Sequence, residues 1–123
     1  GGPHKVQTLL AEATLQVQEY MEPKSAHEHA CVFIMPTYPT AAPRHFEAYL
    51  RPLDFIYTAV WNALEVPVTQ VPIGLSKHEG LPLGIQIIAS HGADSLSIAV
   101  AMELEKGGVA GWTRVGPVCD SSL

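Results

Sequence analysis

A chain of 123 residues with 47% apolar and only 15% charged side chains has room for one domain and is too hydrophobic to be a disordered segment, which needs low hydrophobicity and high charge. Seven basic against twelve acidic residues leave a formal charge of −5, with no basic stripe to neutralise phosphates, so no nucleic-acid partner is expected. Apolar stretches stop after about half a dozen residues, far short of the ~20 that span a bilayer, and no hydrophobic leader follows Gly1-Gly2-Pro3.

In chain order, Val6, Leu9, Leu10, Ala13 and Val17 recur at helical spacing opposite Gln7, Glu12, Gln16 and Glu19, which predicts an amphipathic helix over 5–21. Pro23 and Lys24-Ser25 end it. The run Cys31-Val32-Phe33-Ile34-Met35, closed by Pro36, reads as a strand buried on both faces, as inside a parallel or mixed sheet. Pro36, Pro39, Pro43 and Pro52 make 36–53 a loop. Asp54 is placed to cap a helix over 55–64 with Phe55, Thr58, Ala59 and Asn62 on one side. Residues 68–75 and 83–90 read as two strands of a hairpin around Ser76-Lys77-His78-Glu79-Gly80. Asp94 then caps a last helix, 95–106, that buries Leu96, Ala99, Val100 and Leu104 and stops at Lys106-Gly107. Residues 107–123 carry little pattern and are expected to fray. The order is helix, strand, Pro-rich loop, helix, hairpin, helix, an α/β arrangement with a mixed sheet (one buried strand plus a hairpin) layered with helices. That sheet is small for such apolar strands. Together with the missing initiator methionine, this points to a single partial domain.

Two cysteines, Cys31 and Cys119, lack metal-ligand spacing. Cys31 is expected to be a buried thiol in a reducing compartment. His27-Glu28-His29 is the strongest metal pattern, but two histidines without further convergent ligands fit a polar linker better. No metal or other cofactor is therefore expected. For acyl transfer, the chain has no GxSxG elbow. Ser76-Lys77 sit side by side in an exposed turn, and adjacent residues in an extended turn do not converge on one buried point as Ser–Lys catalysis requires. Gln86 between apolar neighbours reads as a structural hydrogen-bonding residue, and Gly74 and Gly84 as sites of close backbone approach.

Three stretches carry more information: PTYPTAAPRH at 36–45, FIYTAVWNALEVPVTQVPIGLS at 55–76 and LPLGIQIIASHGADSLSIAVAMELEK at 81–106. Their order resembles the C-terminal part of the amidase-signature family, where a buried strand ends in Pro-Thr and a Pro-rich loop follows. There, a helix with Tyr-Thr and Asn leads into a Pro-containing strand, a GLP-x-G-x-Q strand and an Asp-started helix. Val68-Thr69-Gln70 and Leu81-Pro82-Leu83-Gly84-Ile85-Gln86 are particularly similar to the type-two fatty-acid amide hydrolases. The resemblance covers about residues 31–106; residues 1–30 match loosely, and the ending after Lys106 departs from the family's.

The resemblance implies a hydrolase of fatty-acid amides whose Ser–cis-Ser–Lys triad and oxyanion loop lie N-terminal to this segment. No position here matches any of them, so no catalytic residue carries over and the chain alone is expected to be inactive. The helix with the Tyr-Thr pair borders the acyl channel in such enzymes. Phe55, Thr58, Ala59 and Trp61 thereby become substrate-binding candidates for a fatty-acyl amide, although the same four would also serve as ordinary core. The implied partners are the missing N-terminal half of the amidase domain, or a second copy paired through exposed sheet edges. A non-catalytic interaction or lipid-binding fragment is the alternative. Localisation is left open, intracellular or membrane-associated through a segment not contained here.

Overall fold

A computed structural model of the protein describes residues 3–21 and 30–111. The expectations placed on Pro23, Lys24-Ser25, His27-Glu28-His29 and Cys119 lie outside the described residues. Along the chain, α1 (Pro3–Met21) is followed by β1 (Phe33–Pro36), α2 (Glu47–Leu50), α3 (Ile56–Ala63), β2 (Val68–Leu75), β3 (Pro82–Ile88) and α4 (Asp94–Lys106).

The hairpin forms as the turn residues dictate. Ser76 N–H donates to Leu81 O at 2.7 Å, Gly80 N–H donates to Ser76 O at 2.9 Å, and Gly80 takes φ 64°, a left-handed value that glycine adopts without a Cβ clash. Within the hairpin, Pro72 has no N–H for the ladder, and the register slips between Pro72 and Gly74. Gly74 sits at φ 124° with nothing within 4 Å of a would-be Cβ. Its requirement is conformational, rather than the close backbone approach expected of it.

β3 lies at the centre of the sheet, in the order β1-β3-β2. Both of its pairings are antiparallel, with Phe33 and Val68 opposite Ile88, and Met35 and Gln70 opposite Gln86. The sheet expected to be mixed is therefore antiparallel over the described strands. Because side chains alternate along a strand, β3 feeds two cores. Ile88 joins Met21, Leu64 and Val66 beneath α1 and α3, while Ile87 joins Val71 and Ala110 beneath α4. Both isoleucines are fully buried, each stabilising the fold by roughly 1.5–3 kcal/mol from side-chain burial. The result is α/β layering, with helices on both faces of the sheet.

β1 differs from its expected environment. It is an edge strand, paired on one side with β3, and Phe33 and Ile34 are about half exposed. An unbroken apolar run does not by itself say which neighbours cover it. Cys31, expected to be buried, is exposed.

α4 is rotated from the predicted face. Ser97 is buried and Leu96, Val100, Ala101 and Leu104 are partly covered, whereas Ala99 is exposed. Ser97 tolerates burial because its Oγ pairs with Thr69 Oγ1 at 2.8 Å and also donates to Asp94 O at 2.9 Å. Neither expected aspartate cap forms. Ala93 and Phe55 occupy the N-cap positions of α4 and α3 without a side-chain cap bond, and Asp94 instead stands in the first turn, where its charge favours the helix dipole.

The far end of α4 falls at Lys106 with Gly107 just beyond, as predicted, and the left-handed turn comes one residue further on. Gly107 is still right-handed, and Gly108 takes the left-handed φ of 70°. Gly108 N–H donates to Glu105 O and Val109 N–H to Leu104 O, both at 3.0 Å, which is a Schellman closure. Residues 107–111, expected to fray, therefore fold back. Ala110 is buried, and Gly111 N–H donates to Pro72 O at 3.0 Å on the outer side of β2.

Candidate functional site

Of the expected acyl-wall residues, Thr58, Ala59 and Trp61 sit on α3 and Phe55 at its N-cap, after a 3₁₀-like entry in which Ile56 N–H donates to Leu53 O and Thr58 N–H to Phe55 O. The helix turns Tyr57, Val60 and Trp61 towards the protein, and Leu64 just beyond it is buried. Phe55 and Thr58 lie on the outer side, 60% exposed in the case of Phe55, with Thr58 Oγ1 donating to Phe55 O at 3.1 Å. Ala59 is half-buried between the two sides. The four residues are not brought together. Trp61 points into the body of the protein, and Phe55 and Thr58 point away from it.

Trp61 forms one wall of an apolar groove of about 400 Å³, completed by Phe33 and by Ala13, Val17, Tyr20 and Met21 of α1. The Trp61 and Phe33 rings meet at a centroid distance of 5.9 Å and an interplanar angle of 49°, within the range for a favourable tilted aromatic pair. Trp61 Nε1 is buried and has no hydrogen-bond partner among the described residues. Sequence reasoning missed the α1 side of this groove, although Ala13 and Val17 were already on the predicted apolar face of that helix.

On the same face of the sheet, Gln86 fastens α3 to the strands. Its Nε2 donates to Pro36 O at 3.2 Å and to Tyr57 O at 2.7 Å, and the side chain is almost wholly buried. The predicted structural role for Gln86 is the one it has. Next to it, Gln70 reaches across the centre of the sheet to Thr37, with Thr37 Oγ1 donating to Gln70 Oε1. A Cβ on Gly84 would lie 2.0 Å from Gln70 Nε2. Here the expectation of close approach holds, and the approaching group is a side chain.

Thr37, Tyr38, Thr40, Gln70 and Gly84 line a more polar cleft of about 260 Å³. Partial desolvation, then the negative charge of Asp54, raise the Tyr38 phenol above its usual pKa, with the Arg51 guanidinium opposing. Asp54 Oδ2 is buried 3.9 Å from Arg51 Nε, and Arg51 also lies 3.9 Å from Glu47 Oε1. This Tyr38–Asp54–Arg51 cluster brings Tyr38 to an Arg51–Asp54 pair far from it along the loop, and no local spacing announces that meeting.

No three His, Cys, Asp or Glu side chains converge on a metal-sized site among the described residues. His91 Nδ1 lies 2.9 Å from Glu65 O. Lys77 is exposed in the hairpin turn, Lys106 pairs with Glu103 at 2.7 Å, and no serine hydroxyl is hydrogen-bonded to a lysine among the described residues. No helix among them is long and apolar enough to cross a membrane.

The architecture is thus a Gln-anchored antiparallel sheet with α3 pinned to one face. The family model described as Amidase matches residues 4–97. The chain belongs to the amidase-signature family. The match begins within α1, so the family likeness reaches further towards the N-terminus than the motifs at 31–106 indicated. Among curated proteins, the chain is similar to fatty-acid amide hydrolase 2 of Homo sapiens, 49% identical over 85 residues, covering 69% of this chain and 16% of the relative. Fatty-acid amide hydrolase 2-B of Danio rerio is 45% identical over 87 residues, covering 71% and 16% respectively. A glutamyl-tRNA(Gln) amidotransferase component from Renibacterium salmoninarum is 36% identical over 101 residues, covering 79% of this chain and 19% of that relative. The chain thus spans less than a fifth of the length of these relatives. No solved structure matches it.

Proposed function

We propose that this chain is the C-terminal sheet-and-helix portion of an amidase-signature serine hydrolase acting on fatty-acid amides, supplying scaffold and one wall of the acyl site while lacking the triad. The observation that carries this reading is the 49% identity to human fatty-acid amide hydrolase 2 over a stretch that amounts to 16% of that protein. The placement of serines and lysines supports the lack of independent chemistry, because acyl transfer needs a nucleophile hydrogen-bonded to its base at a protected point. Ser97 is instead committed to Thr69 and Asp94, and Lys106 to Glu103. Phe55, Thr58 and Ala59 offer the outer side of α3 to an acyl chain, and Trp61 braces the helix from within.

A fluorophosphonate probe tests the proposal. The purified 123-residue chain is expected to show no covalent labelling under conditions that label an intact fatty-acid amide hydrolase. Stoichiometric labelling would overturn it.

A second reading, a non-catalytic lipid-binding or interaction module, is supported by the apolar groove at Trp61 and the half-exposed β1 edge. Binding of a fluorescent long-chain fatty acid, weakened by Phe33→Asp in that groove, would favour it. A chain that binds no fatty acid and sediments as a monomer at every concentration would remove it.

A further inference from the structure

We propose that the segment 46–56 is a docking face for the remaining portion of an amidase-signature domain, an inference that rests on the functional reading above and gives it a specific surface. Phe46, Tyr49, Leu50, Leu53, Phe55 and Ile56 fall within this short stretch and are 47–85% exposed. Single exposed apolar residues are ordinary, but this many in one short segment are not.

The segment is patterned with its polar groups paired among themselves and its large apolar side chains left outside. Arg51 lies between the carboxylates of Glu47 and Asp54 at 3.9 Å each, and Arg44 N–H donates to Glu47 Oε2 at 3.0 Å. One guanidinium set against two carboxylates leaves the segment without surplus positive charge. The face fits an apolar protein surface and lacks the excess positive charge that would draw it to an anionic membrane. Phe46 holds a left-handed backbone, φ 68°, and its ring stacks on Tyr49 at 6.4 Å. A bulky residue is strained in that conformation, and here the strained residue displays an aromatic ring to solvent.

The occupant is indicated by the relatives. The 85 residues that are 49% identical to human fatty-acid amide hydrolase 2 are 16% of that protein. A stretch so similar in sequence is there accompanied by a further five-sixths of polypeptide, and a segment patterned to be covered has that polypeptide to cover it. The occupant is therefore the complementary amidase portion, rather than a second copy or a lipid surface.

The test co-expresses the full 123-residue chain with human fatty-acid amide hydrolase 2 from which the 85 aligned residues have been deleted. The expected result is co-purification of the two, weakened about tenfold or more by Leu50→Asp or Phe46→Asp and retained by Leu50→Met. Lys77→Glu in the hairpin turn should leave it unchanged. Circular dichroism of each variant separates lost docking from lost folding. Co-purification unaffected by either aspartate would overturn the assignment of this face. So would patch-dependent dimerisation of the chain alone, patch-dependent binding to phosphatidylcholine vesicles, or no association at all. None of these would alter probe labelling, which tests the underlying reading by itself.

Discussion

The unit formed by β2, β3 and α4 and the segment between β1 and α3 are built from similarly apolar sequence and end in opposite environments. In the first, Ile87, Ile88 and Val71 are inside, and even the polar Gln86 and Ser97 are buried because each has hydrogen-bond partners. In the second, α2 buries no residue, and Tyr49 and Leu50 are more than four-fifths exposed. The difference lies in partners. A strand or helix has repeating geometry that lets a neighbouring element cover one side, whereas a Pro-rich loop satisfies its backbone locally and covers itself poorly. Apolar content therefore marks residues that need covering, and the fold decides which of them are covered within this chain.

That contrast is broken most severely at Ile88, which lies under α1 and α3. Ile88→Ala is expected to destabilise the chain by about 2–5 kcal/mol, a large part of the ~5–15 kcal/mol available to a typical domain. Urea denaturation followed by circular dichroism reads the loss; a change below about 0.5 kcal/mol would mean that the Ile88 core contributes no more than a surface position. A smaller effect is expected at Gln86. Gln86→Leu keeps the volume but removes the donors to Pro36 and Tyr57, costing about 1–2 kcal/mol. It should also loosen α3, visible as faster hydrogen exchange at Ala59–Leu64. Exchange unchanged there would show that α3 is held by apolar packing alone.

The smallest effect is expected in the exposed segment. Leu50→Asp should move the stability of the isolated chain by less than about 0.5 kcal/mol, even though it is expected to weaken docking about tenfold or more in the co-expression test. A loss comparable to that of Ile88→Ala would show that the segment is already packed, and the two regions would cease to differ.

Much of the fold was legible because local chemistry sets it. The helix at 5–21, the hairpin with its glycine-closed turn and the last helix all appear where periodicity and turn residues put them. The missed details share one cause. Asp94 and Asp54 are cap-forming types, but neither occupies the N-cap position. Ser97 lies inside and Ala99 outside, with Thr69 of β2 offering Ser97 a partner from the sheet beneath α4. The candidate site fared similarly. Motif order pointed to α3, but the split between Trp61 inside and Phe55 and Thr58 outside depends on where α1 and β1 lie. Tyr38 could not be linked to the neighbouring Arg51 and Asp54 by any local spacing.

By itself, then, the sequence determined the family, the sequence of elements and the need for Gln86 to be bonded, since these follow from residue type and short-range spacing. Tertiary structure alone decided that β3 is the central strand, that β1 is an edge, and that Gly84 makes way for Gln70 rather than for a neighbouring backbone. It also decided which apolar residues are left outside. Those outcomes depend on groups brought together from distant points of the chain, and burial is a property of such neighbours rather than of any residue read alone.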